Sequence, residues 1–179
     1  MQSSIVVQVK VAFCRFTPRE TAHIRTVARI GDVYLMNNTF MLARLTGALS
    51  RQTPAAARDN SVGDQFAGEV VRNIKALDKF IGRDGFACCG CVTLADCALV
   101  PGLFWIETVL PAVGVDWPIL ASANVTAYWA RIQKNKHAAR VLFELRRGLE
   151  ERREMIRSGA LERFRAAAAA AQKEADVQS

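Results

Sequence analysis

The chain has 179 residues, 51% of them hydrophobic, with 11 Gly and 5 Pro. That length suits one domain with a real core, and the composition excludes a disordered or fibrous chain. Net charge is +7, yet Arg and Glu mix along the same segments, which argues against a nucleic-acid surface and for solvated helices.

The N-terminus, Met1 to Phe16, lacks the basic start and small-residue cleavage site of a signal peptide. Pro101, Glu107 and Pro111 interrupt the best apolar run, so no membrane span is expected and a cytoplasmic location is. Ile5, Val7, Val9, Val11 and Phe13 lie on one face of an extended chain, with Gln8 and Lys10 on the other, a strand pattern without a second strand to pair with. Residues 1–16 therefore read as an N-terminal extension carrying either a lone strand or an irregular arm.

Thr17-Pro18-Arg19-Glu20 is a helix start: Thr17 caps, Pro18 suits the first helical position, and Glu20 completes a capping box. The pattern then predicts a long helix to Ser50, with Val27, Gly31, Tyr34, Leu35, Asn38, Leu42, Leu45 and Leu49 on one face. A turn around Pro54 leads to a second helix from Ser61 to Ile81, closed by Gly82-Arg83-Asp84-Gly85. After a short connector, Thr93-Leu94-Ala95-Asp96 repeats the capping-box spacing and opens an almost uncharged run. A helix that is apolar all round belongs in the middle of a domain. It is expected from 94 to about 109, bent at Pro101, with Pro111 to Asp116 as a loop.

A further helix is expected from Pro118 to Gln133, with Val125, Tyr128, Trp129 and Ile132 inward, and a break at Lys134 to Lys136. The last one begins near His137 and carries Val141, Leu142, Leu145 and Leu149. Between 140 and 165 stand eight Arg and five Glu, with Glu150–Arg153 and Glu154–Arg157 at ion-pair spacing. Residues 17–153 form the predicted domain; 154–179 read as a polar, Arg- and Ala-rich tail, helical or frayed.

Arg25 to Leu35, Val92 to Pro101 (Val-Thr-Leu-Ala-Asp-Cys-Ala-Leu-Val-Pro) and Pro118 to Arg140 occur in an order that resembles the C-terminal helical domain of the cytosolic glutathione S-transferases. The resemblance implies an all-α bundle wrapped around the helix that Thr93 and Asp96 begin. It implies the hydrophobic-substrate half-site and the dimer face of an enzyme that conjugates glutathione to electrophiles. In that family a thioredoxin-like domain comes first and supplies the catalytic group. Only about sixteen residues precede the first helix here, so the expectation is that this domain is absent and that no residue inherits the catalytic role. Glutathione is then a co-substrate only if the missing domain is supplied, and the isolated chain is expected to be inactive. The partners implied are a second copy or another chain, and a small hydrophobic molecule. On the first helix, Asp32 is the residue that would approach glutathione across a dimer; Tyr34, Phe40 and Met41 would line the hydrophobic pocket. A non-catalytic dimerisation or scaffold module is the alternative.

Other chemistry is weaker. Cys88, Cys89 and Cys91 offer three thiols with no evident fourth ligand, and Cys97 falls within the predicted buried helix, so no metal site is expected. Five cysteines, four of them within ten residues, do not form a secreted disulfide framework. A thiol near a helix start can serve redox chemistry, but small apolar residues in a connector are the favoured reading of the cluster.

Overall fold

The computed structural model describes residues 16–46, 60–114, 121–160, 162–168 and 170. The possible strand over 5–13, the turn at Pro54 and the helix start at Pro118 lie outside them. Among the described residues all regular structure is helical.

The helices are α1 (Pro18–Arg29), α2 (Asn37–Thr46), α3 (Asn60–Leu77), α4 (Leu94–Ala112), α5 (Ala123–Ile132) and α6 (Lys136–Arg157). Between α1 and α2, Ile30–Met36 forms a π-helical stretch, so the first predicted helix is continuous but widened in its middle. The box at its start closes as expected. The Thr17 N–H donates to Glu20 Oε2 at 2.8 Å, and Thr17 Oγ1 accepts from the Glu20 N–H at 3.2 Å.

The expected central helix is present. α4 packs against α1, the π stretch, α2, α5 and α6, while α3 packs on α2 and the π stretch. Leu99, Leu103, Ile106, Val109 and Leu110 of α4 are fully buried. They meet Val27 and Leu35, Val125 and Tyr128, and Leu142 in one continuous core.

Three expectations need correction. α4 does not stop near Val109 but runs to Ala112 through both Pro101 and Pro111. A proline costs a helix its own N–H bond, and here packing on several sides outweighs that cost. The resulting 19-residue helix is long and apolar enough to cross a bilayer, although it serves as the core of the bundle. Nor is α4 buried on every side. Leu94 is 61% exposed and Cys97 is exposed. With Pro101 and Trp105 they form a stripe at helical spacing that no helix fully covers. Third, α3 ends at Leu77 rather than at Ile81, and residues 78–80 turn away. The expected break after α5 falls at 133–135, with Asn135 capping α6.

Candidate functional site

Asp96 is where the chain ties together elements far apart in sequence. Its side chain is 3% exposed and accepts four hydrogen bonds. Oδ2 takes the Thr93 N–H at 2.9 Å and the Thr93 hydroxyl at 3.1 Å. Oδ1 takes the Ala87 N–H at 2.9 Å and the Tyr128 hydroxyl at 3.2 Å. Thr93 Oγ1 in turn accepts from the Ala95 N–H at 3.2 Å. A buried carboxylate is tolerable only with this many donors. The sequence displayed the Thr93–Asp96 box; the bonds from Ala87 and Tyr128 carried no sequence signal, because they depend on how the connector and α5 fold back.

Two neighbours feel this burial. The Tyr128 phenol is pushed well above its usual range, first by burial and then by the Asp96 charge beside it. The Cys88 thiol is pushed up to about 12, again chiefly by burial, with its Thr93 contact opposing. Its Sγ lies 3.8 Å from Thr93 Oγ1. A thiol held protonated in this way is a packing group, not a nucleophile.

α5 is begun by a residue from the turn that follows α3. Ser122 stands at its N-cap without a side-chain capping bond. Instead Asp78, just past α3, accepts from the Asn124 N–H at 2.8 Å and the Val125 N–H at 3.0 Å through Oδ1. The Asn124 amide returns a bond to the Asp78 carbonyl at 2.9 Å.

The four residues expected to face ligand all lie on the π stretch and α2. Asp32 is exposed, Tyr34 is 50% exposed, Phe40 40% and Met41 38%. Tyr34 was expected on the buried face with Gly31 and Leu35, and the structure turns it out. Bonds of the i→i+5 type widen the turn. Leu35 therefore lies above Gly31, and Thr39, buried with its hydroxyl donating to the Leu35 carbonyl at 2.7 Å, follows it. Phe40 meets a second element: its ring lies 5.7 Å from that of Trp105 on α4, tilted by 48°. Trp105 makes an edge contact with Phe104, centroids 5.2 Å apart. These rings form a partly exposed aromatic shelf between α2 and α4, able to hold an apolar ring but offering no acid or base. The role of Trp105 in it was missed, since its spacing to Phe40 depends on how α2 and α4 cross.

Cys88, Cys89, Cys91 and Cys97 are all thiols. Cys89 adopts φ 63°, unusual for a residue with a side chain, and borders a groove with Arg19, Glu20, His23 and Thr26. Among the described residues no three of His, Cys, Asp and Glu converge as metal ligands would. His23 tilts against Phe80, and His137 is exposed at the start of α6.

Residues 54–131 match the family model described as glutathione S-transferase, C-terminal domain. That stretch is thus similar to the C-terminal domain of the glutathione S-transferases, in keeping with the all-helical bundle around α4. No curated protein and no solved structure gives a match.

Proposed function

We propose that this domain provides the hydrophobic co-substrate side of a glutathione transferase and the face on which such a protein pairs. The aromatic shelf carries the reading. Phe40 and Trp105 present a partly exposed apolar surface beside the π stretch, and Trp105 lies within the residues that match the transferase domain. In the complete architecture a glutathione thiolate attacks an electrophile. The shelf would hold the apolar body of that electrophile, flanked by Tyr34 and Met41. Asp32, exposed on the neighbouring turn, would approach glutathione held by a second subunit. None of this chain's residues is assigned the thiolate-activating role.

The isolated 179-residue chain should therefore not conjugate glutathione to a generic aryl halide, and should not be retained on immobilised glutathione. Retention with specific elution would overturn the half-site assignment. Removing one ring of the shelf, Phe40→Ala, should weaken binding of an apolar fluorophore by several-fold while leaving helical circular dichroism intact. Unchanged binding would remove Phe40 from the pocket.

The same exposed apolar residues also support a non-catalytic pairing module. Light scattering tests the pairing that both readings share. A strict monomer at micromolar concentration would exclude self-pairing and leave only the small-molecule part of the first.

A further inference from the structure

We infer that a groove between the start of α4 and the corner joining α5 to α6 is a second ligand site, taking small apolar electrophiles that Cys97 captures covalently. It is separate from the shelf on α2. Its volume is about 90 Å³, and its walls include Val100, Pro101, Ile132, Ala138 and Val141, with Cys97 and His137 among the lining residues. That volume holds roughly one six-membered ring or a short alkyl chain. Asp96 also borders the groove, but its oxygens are engaged by Thr93, Ala87 and Tyr128, so its charge does not call water in. Pro101 has no N–H, and the Cys97 carbonyl therefore lacks the usual helical donor; Asn135 and His137 are the other polar residues of a mostly apolar lining. The occupant this chemistry selects is compact, mostly apolar and soft.

Cys97 differs from the other thiols. Cys88 is buried, whereas Cys97 is exposed and lines an apolar recess; Cys89 borders a polar groove. Conjugate addition to an activated alkene needs nothing further. The sulfur bonds to the β-carbon, the alkene electron pair moves to the α-carbon, and the thiol proton ends there, relayed by water or by the His137 imidazole. No group leaves and no oxidant is consumed.

Cys97 and Cys89 give an internal comparison in one molecule. The intact chain is treated with limiting N-phenylmaleimide or with a maleimide carrying a carboxylate, and the Cys97-to-Cys89 labelling ratio is read by peptide mass spectrometry. The ratio should be on the order of ten-fold higher for the phenyl reagent, the preference that burying one ring face would give. N-Phenylsuccinimide, which has the same shape but cannot react, should slow labelling at Cys97 and not at Cys89. Val141→Asp sets a charge on the groove wall at a half-exposed position and should abolish the preference while helical circular dichroism is unchanged. Equal ratios for the two reagents, no protection by the succinimide, or an intact preference in Val141→Asp would each reduce Cys97 to a merely exposed thiol. None of these outcomes bears on the shelf at Phe40.

Discussion

Asp96 concentrates more stability in one side chain than any surface ion pair of α6 can. Substituting Asp96→Ala strands the Thr93 and Ala87 N–H groups and the Tyr128 hydroxyl away from water. At about 1–3 kcal/mol for each orphaned group, the loss should exceed about 3 kcal/mol in urea unfolding, a large share of a typical domain's stability. Tyr128→Phe removes one donor together with its need and should cost only about 1 kcal/mol. If Asp96→Ala lies within about 1 kcal/mol of the parent, the network is decorative. Cys88 adds a pH dependence. Its folded thiol stays protonated up to about 12, whereas the unfolded thiol ionises near about 8.5. Across that window the unfolded state binds fewer protons, so stability falls as pH rises. The urea midpoint should decline from about pH 8.5 upward, and Cys88→Ala should flatten the first part of the decline. Tyr128 extends the loss above about pH 10, with the same sign.

At the scale of elements, the π stretch and its crossing with α4 depend on Gly31. A Cβ there would lie 3.2 Å from the Ala98 Cβ and 3.3 Å from the Ala98 carbonyl carbon. Gly31→Ala should therefore force α4 away and cost about 1–3 kcal/mol. At Gly102, the other glycine of this crossing, a Cβ meets only the Gly31 carbonyl oxygen at 3.6 Å. Gly102→Ala should be neutral or stabilising, because alanine is the better helix former. Thermal unfolding of the two variants checks the contrast; equal effects would mean the crossing is loose. The sequence showed both capping boxes, because each is a local pattern of hydroxyl and carboxylate three residues apart. It did not show the π stretch. Gly31, Leu35 and Thr39 are spaced by four, which a 3.6-residue period absorbs, so Tyr34 was counted inward. The cap that Asp78 gives to α5 was invisible for a different reason: its donors lie 46 and 47 residues away.

For the whole molecule, one core predicts one unfolding transition with large differences between adjacent positions. Leu142 on α6 is 1% exposed against α4, while Phe143 beside it is 61% exposed. Leu142→Ala should cost about 2–5 kcal/mol, and Phe143→Ser should stay within about 0.5 kcal/mol, both from urea midpoints with unchanged slope. The bundle around α4 was legible because composition alone marks a helix that must be covered. The shelf was half legible: Phe40 was singled out, but Trp105 joins it only once α2 and α4 cross. The Cys97 groove was not, since calling α4 buried all round hid the one stripe left open.

The length of α4 has a consequence during synthesis. Leu94–Ala112 leaves the ribosome before α5 and α6 exist to cover it. Through that interval the nascent chain displays a segment greasy enough to be taken for a membrane anchor, with only Asp96 and Glu107 as charges along it. Until Lys136–Arg157 emerges and closes over it, the chain depends on chaperones or on rapid elongation to stay out of aggregates and off lipid, so slow codons between 113 and 136 should lower the yield of native protein.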